Sequence, residues 1–397
     1  MKFKLIAFAV LLSFVTSATI AQSLKVFLVK PERMIDLKNK CKAGDVQTKL
    51  WVDHLVKDAN KYLTVNAASV TSKKQVPVSG DKHDYMSLAP YYWPDPNNPT
   101  GPYIRKDGKR NPEMNEISDH KAIDNTTKAV TYLSLAYYFT HDEAYAKKAS
   151  QLLHVFFLDT ATKMNPNMNY AQSVKGVNDG RGTGILDSRS FVYVVSFIGL
   201  INGSKAWSNT DDQQLKAWFA EYYDWLSTSK GGHDERNAKN NHGIWFDTQM
   251  LGIGLYLGKE EAVKDYLKST LARVDVQQET DGRQPLELER TAALSYSTFC
   301  LDAWFTAATL ADNVGVDIWN YKTKDGKGIK VALDWLLPYA MGDKAWTYPQ
   351  IHEYKKGDFL SLLIRANNQY KDDKYRAAID KLQVEKEDYL DGIFYGK

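Results

Sequence analysis

Nothing limits the fold of this chain more than the series of helical patterns that fills it from residue 120 onward. Apolar side chains recur at three- and four-residue intervals over 120–139, 142–158, 187–203, 211–229, 241–257, 260–277, 286–314, 327–341, 357–371 and 373–383. That is the spacing of helices with buried faces. Asp119, Asp142, Asp187 and Asp211 stand where N-caps are expected, since a carboxylate there accepts from free backbone N–H groups. Gly203, Gly231 and Gly258 stand at three of the stops, where a left-handed residue ends a helix. Strand-type alternation is rare. Val192 to Phe197 is the main β-branched run, and its setting predicts a buried helix. A further amphipathic helix is predicted over 47–63, with Leu50, Trp51, Leu55 and Tyr62 on one side. Helices joined by loops this short pack as antiparallel neighbours. Ten or more of them predict an all-α chain whose pairs curl into an (α/α) toroid or incomplete barrel, with loops at one end framing a groove.

The first 21 residues read as an address. Lys2 and Lys4 precede an apolar run from Leu5 to Val15, and Thr19-Ile20-Ala21 offers a small-residue cleavage site before Gln22. The run is short for a membrane span, and no cysteine follows the cleavage site to take a lipid. Export and a periplasmic location are expected, without membrane insertion. Residues 22–397 are enough to bury a large core, as one domain or two. Of the formal charge of +3, two units sit in Lys2 and Lys4, so no general basic field points to nucleic acid. An acidic partner must be met by local groups. Cys41 and Cys300 are too few for a disulfide framework and read as free thiols rather than a pair.

Between the first helix and the series lies a stretch, 71–118, that breaks helical habit with Pro77, Gly80, Pro90, Pro94, Pro96, Pro99, Pro102 and Pro112. Tyr85, Met86, Leu88, Tyr91, Tyr92, Trp93 and Tyr103 make it too apolar for disorder. It reads as an ordered loop across the surface, forming one wall of a cleft. Two more loops interrupt the helices. Residues 163–186 are rich in Asn and Gly and carry Arg181, and 230–240 lead into Asn240-Asn241-His242.

That triplet, together with Leu286-Glu287-Leu288-Glu289-Arg290 and Ala293-Leu294-Ser295-Tyr296, supplies an amide, an imidazole, a guanidinium and a phenol. Asn240 to His242 lie where a loop becomes a helix, a place that favours an anion. The plainer account is that one Asn caps the helix and Tyr296 fills the core. Arg290 and Tyr296 are six apart, so one regular helix does not align them. The 24 Tyr and 10 Trp fit either inter-helix packing or stacking on sugars. The residue set itself suits an elimination on an acidic sugar. There the neighbouring carboxylate must be neutralised by donors before a base takes the C5 proton and an acid protonates the departing O4. A cation beside a tyrosine lowers its pKa and lets it act as base too.

Asn240-Asn241-His242 with Trp245, and Leu286 to Arg290 with Ala293 to Tyr296, resemble the paired signature of the alginate lyase superfamily. Lys82-His83-Asp84-Tyr85, Ser87 to Pro96 and Gly182 to Arg189 resemble further blocks of that family, in order. The resemblance spans most of 50–350 and is to polysaccharide lyase families five and thirty-eight. It implies a single toroidal catalytic domain over 22–397 and β-elimination in an acidic polysaccharide or oligosaccharide, alginate first and glucuronan second. It implies Asn241 and Arg290 at the carboxylate, His242 as base, and Tyr296 as acid or as acid and base. The family-five pattern separates Arg and Tyr by seven, with basic residues between. Here the interval is six and holds Thr291-Ala292-Ala293, which favours the family-thirty-eight-like branch.

Substrate contacts are expected from Asn240, from Tyr91 and Trp93 as a sugar platform, and from Arg181 and Arg189 at neighbouring carboxylates. Gln284, Tyr348 and His352 are expected along the groove. Two other readings stay open. A hydrolase would need paired carboxylates, for which Asp234, Glu235, Glu287 and Glu289 are available, and a non-catalytic glycan-binding protein would need only the platform. No cofactor is expected. His233, Asp234, Glu235 and His242 match no strong zinc spacing, so no metal is expected either.

Overall fold

A computed structural model of the chain describes residues 24–382 and 389–396. The signal sequence expected over 1–21 and residue 383 of the last expected helix lie outside them. The order of elements is α1 (Pro31–Ala43), α2 (Val46–Leu63), β1 (Met86–Leu88), β2 (Tyr92–Trp93), β3 (Ile104–Arg105), α3 (Asp119–Thr140), α4 (Glu143–Leu153), β4 (Tyr170–Ser173), α5 (Phe191–Phe197), α6 (Asn209–Thr228), α7 (Lys230–Arg236), α8 (Asn241–Tyr256), α9 (Glu260–Gln277), α10 (Pro285–Leu288), α11 (Ala293–Asp312), α12 (Ile329–Ala340), α13 (Lys356–Tyr370), α14 (Asp373–Leu382) and α15 (Tyr389–Phe394). Helices pack in successive pairs, α2 on α3, α3 on α4, α8 on α9, α11 on α12 and α13 on α14, and form an (α/α) toroid.

α8 is the hub. It touches α5, α9 and α11, and every residue from Gly243 to Tyr256 is buried. Ile244, Trp245, Leu251 and Leu255 enter one apolar cluster shared with α11, α12 and α13. Phe246, Met250, Ile253 and Tyr256 enter a second, shared with α3 to α6. A helix that is apolar all round must be buried all round, so α8 belongs between two cores. Its one internal charge, Asp247, is fully buried but answered. Arg273 donates Nε–H (2.6 Å) and Nη2–H (3.0 Å) to it, and Tyr266 donates its hydroxyl (2.8 Å). Arg273 also donates Nη1–H to the Ala238 carbonyl (3.0 Å), which ties down the loop that leads into α8.

The segment 71–118 is ordered, as its apolar content predicts. β1 pairs parallel with β4, and β2 with β3 antiparallel. Its root is the buried Lys73 ammonium, which donates to the carbonyls of Val70, Lys82 and Asp84 (2.7–2.8 Å) and pairs with Asp119 (3.0 Å).

Several expectations need correction. Asp142 caps α4, accepting from Ala144 N–H at 2.9 Å. Asp119, however, lies inside α3 after Ser118 and serves the Lys73 pair. Asp211 is the third residue of α6 and closes a capping box with Ser208. Asp187 is buried and caps nothing. Tyr85, Ser87 and Gln172 donate to it. Gly203 and Gly258 take the left-handed conformation, but Gly231 sits within α7, a helix the loop-like composition of 230–240 hid. Leu50 is 45 % exposed, so the buried face of α2 is Trp51, Val52, Leu55 and Ala59. The 286–314 pattern is two helices, broken at 289–292. Gly182–Ile201 is long and apolar enough to span a membrane, but 72 % of its apolar window is buried inside the protein. Cys41 and Cys300 are both free thiols.

Candidate active site

A cleft of about 820 Å³ opens against the first turn of α8. Asn240, Asn241, His242, Arg290 and Tyr296 all face it, from two stretches of the chain about 50 residues apart. Asn240 is the N-cap of α8, its side chain accepting from His242 N–H at 3.3 Å. The close approach of the preceding loop requires glycine at 243. A Cβ there would lie 2.1 Å from the Ala238 carbonyl oxygen and 2.4 Å from Arg273 Nη1.

Each of the four chemically distinctive groups is held from behind. Asn241 donates its backbone N–H (2.6 Å) and its Nδ2–H (2.8 Å) to the two oxygens of Glu287, a carboxyl only 1 % exposed. Burial raises the Glu287 pKa against the opposing effect of those bonds. His242 Nδ1 lies 2.6 Å from Glu235 Oε1, again 1 % exposed. In the tautomer with hydrogen on Nδ1, that carboxylate accepts from Nδ1–H and Nε2 keeps its lone pair.

The break between α10 and α11 brings the six-residue pair together. Ala292 bridges to Gln350, and the chain turns so that the Arg290 guanidinium lies 3.7 Å from the centroid of the Tyr296 ring. Arg290 also donates Nε–H (3.0 Å) and Nη2–H (2.9 Å) to Asp107. Asp107 takes further bonds from Thr291 N–H (3.3 Å), Thr291 Oγ1 (3.1 Å) and Arg105 Nη2 (2.7 Å). Burial would raise the Asp107 pKa, but Arg290 and these donors outweigh it and hold the carboxyl well below its usual range. Asp107 rides on the strap after β3, which is seated by His352 Nε2 against the Gly108 carbonyl (2.9 Å). Gly108 has φ +73° and no room for a Cβ beside Thr291.

Tyr296 donates its hydroxyl to Tyr91 Oη at 2.7 Å. Burial raises its pKa well above the usual phenol, and the Arg290 charge only partly offsets this. In the free protein burial thus works against the lowering expected from the cation.

Of the outer residues, Tyr91, Arg181, Arg189 and His352 reach the cleft. Arg181 lies over the Tyr92 ring and donates to Gln172, and Arg189 leans between Trp245 and Phe299. Three do not reach it. Trp93 is turned to the Lys109 carbonyl (2.9 Å). Gln284 is 1 % exposed and donates to the Ser297 carbonyl. Tyr348 joins Trp335 and Trp346 in an aromatic cluster outside the cleft. Pattern reading missed Asp107, Arg105, Arg110 and Gln172, the last of which sits at φ +50° on the cleft wall. The Asp and Arg residues of the proline-rich strap carry no periodicity that would single them out.

None of Asp234, Glu235, Glu287 and Glu289 lines the cleft. Among the described residues no three His, Cys, Asp or Glu side chains gather closely enough to hold a metal ion.

Residues 69–346 match the profile of the family described as alginate lyase. The crystal structure of an alginate lyase from Bacteroides ovatus is 37 % identical, covers 94 % of this chain and 99 % of that one, and superposes with a TM-score of 0.88. Alginate lyase A1-III from Sphingomonas species A1 is 14 % identical over 95 % of this chain and 98 % of that one, with a TM-score of 0.59. A histidine-to-alanine variant of A1-III complexed with a tetrasaccharide is 14 % identical, covers 90 % and 91 %, and gives 0.58. At that identity the likeness concerns the fold. Comparison with curated proteins gives no match. A profile match over most of the chain and a relative above one-third identity across nearly its full length establish that this chain belongs to the alginate lyase family, and it is a polysaccharide lyase.

Proposed function

We propose that this lyase cleaves uronate polysaccharide by β-elimination, with alginate as its substrate and glucuronan as the next in rank. One observation carries the reading. An amide, an imidazole, a guanidinium and a phenol converge on one cleft, while none of the four carboxylates weighed for a hydrolase lines it: Glu235 and Glu287 are buried behind His242 and Asn241, and Asp234 and Glu289 are exposed to solvent. The substrate carboxylate would accept from Asn241 Nδ2–H and from the N–H groups of Arg290 that Asp107 leaves free. Charge then moves into that carboxylate as the C5 proton departs, where fixed donors stabilise it most. Arg105, Arg110, Arg181 and Arg189 along the cleft suit the carboxylates of neighbouring sugars in a chain.

His242, with Nδ1 committed to Glu235, offers Nε2 as base. Tyr296 gives its proton to O4, a role that a protonated phenol suits. This division serves guluronate, where proton and leaving group depart from opposite faces. For mannuronate and glucuronate, where they depart from one face, Tyr296 carries both transfers, and its proton must first leave against burial and with the help of Arg290. The six-residue interval from Arg290 to Tyr296 supports the family-thirty-eight-like branch. With residues 1–21 as export signal, the enzyme would act in the periplasm.

The test uses the purified chain on polymannuronate, polyguluronate and glucuronan. Elimination produces an unsaturated sugar end that absorbs in the ultraviolet. New reducing ends without that absorbance would mean hydrolysis, and binding with no new ends would mean a glycan-binding protein.

A further inference from the structure

We propose that Glu287 is a positioning residue that fixes which way the Asn241 amide faces; the inference rests on the elimination reading above. Asn241 is only 1 % exposed yet borders the cleft, and nothing about its own rotamer distinguishes oxygen from nitrogen. Its partner makes the distinction. Both Glu287 oxygens are spent on Asn241, one on the backbone N–H at 2.6 Å and one on Nδ2–H at 2.8 Å. A carboxylate only accepts, so it admits the amide in one of its two settings. Turned by 180°, Oδ1 would face Glu287 Oε2 with no proton between them in a site that is 1 % exposed. With one Nδ2 hydrogen held this way, the second is the amide's remaining donor for a substrate carboxylate.

The backbone bond does separate work. Asn241 is the first residue of α8, so its N–H has no intrahelical partner, and the carboxylate also meets the positive end of the helix. Glu287 comes from α10, the short helix just before Arg290. The two donors assigned to the sugar acid are thereby referenced to one another through three residues of chain. Glu287 acts through Asn241 and touches no substrate.

The experiment compares Glu287→Gln, Asn241→Ala and the double variant in the full chain, reading kcat, KM and melting temperature on a uronate polymer. Gln keeps an oxygen for the Asn241 backbone N–H but sets an NH2 against the amide, which would turn Oδ1 toward it. Glu287→Gln should lose about 10²-fold in kcat, the scale of one donor removed from a developing anion, with KM changed less than about threefold. In the Asn241→Ala background the same substitution should cost nothing further, because its route to the reaction is gone. Glu287→Asp, acceptor-only but one methylene shorter, should retain more kcat than Glu287→Gln, and it is the substitute if the Gln variant does not fold. Full activity of Glu287→Gln, losses that multiply in the double variant, or Gln outperforming Asp would each overturn the proposal. Full activity of Asn241→Ala would instead overturn the elimination reading beneath it.

Discussion

Asp107→Asn tests the strap most directly. In the wild type Asp107 and Arg290 have side chains 18 % and 13 % exposed and share two bonds of 2.9 and 3.0 Å. Asparagine fills the same volume, but in either setting it turns an N–H toward one of the two guanidinium N–H groups. One bond to a charged group is lost, and such a bond contributes about 1.5–3 kcal/mol. If Arg290 must hold its plane against the Tyr296 ring to meet the sugar acid, that loss appears in the transition state. At about 1.36 kcal/mol per tenfold, kcat/KM should fall roughly 10- to 150-fold. The assay is the initial rate of ultraviolet absorbance from unsaturated ends on polymannuronate and polyguluronate, with melting temperature recorded beside it. Both polymers should suffer alike, because the carboxylate is common to them. A rate equal to or above wild type would refute the reasoning. It would mean that Asp107 competes with the substrate for Arg290 rather than aiming it.

Three further outcomes are expected. Tyr296→Phe should lower kcat about 10²- to 10⁴-fold on every uronan, measured by the same absorbance; retention of rate on any one of them would remove the phenol as acid there. His242→Ala should cost on the order of 10²-fold on polyguluronate and clearly less on polymannuronate, and equal losses would count against His242 as the opposite-face base. Burial pushes Asp119 up to about 6 from its ordinary 3.8, against the lowering influence of Lys73. A folded value above the unfolded one gives stability that is complete below about pH 3.8 and lost as pH rises to about 6. Asp119→Asn should therefore flatten the pH dependence of the melting temperature in that window, and an unchanged slope would exclude Asp119 as its source.

Much of the architecture was legible from local pattern because helix periodicity is a local signal. The spans of α2, α3, α9, α12 and α13 follow it to within a few residues. Where it failed, a longer-range interaction had taken the residue. Asp187 is an N-cap by position, but buried Tyr85, Ser87 and Gln172 draw its carboxylate away. α7 was hidden because its Lys-Gly-Gly-His start reads as loop, and Ser229 caps it regardless.

The chemical inventory of the cleft was likewise written in the chain. Asn241, His242, Arg290 and Tyr296 are identifiable as residue types in two short stretches, and Arg181 and Arg189 elsewhere in the chain, whereas Arg105 and Arg110 were not singled out. Orientation was not. A one-dimensional pattern cannot say that α10 and α11 break at 289–292 to stack Arg290 on Tyr296, nor that burial raises the pKa of the phenol against the pull of the cation. It also cannot say that Glu235, Glu287 and Asp107, which read as candidate acids or as nothing, end up gripping the imidazole, the amide and the guanidinium. Residue type is fixed by sequence. Desolvation and the direction of a hydrogen bond depend on neighbours far away along the chain, 183 residues for Asp107 and Arg290 and 205 for Tyr91 and Tyr296, and only the packed toroid brings those together.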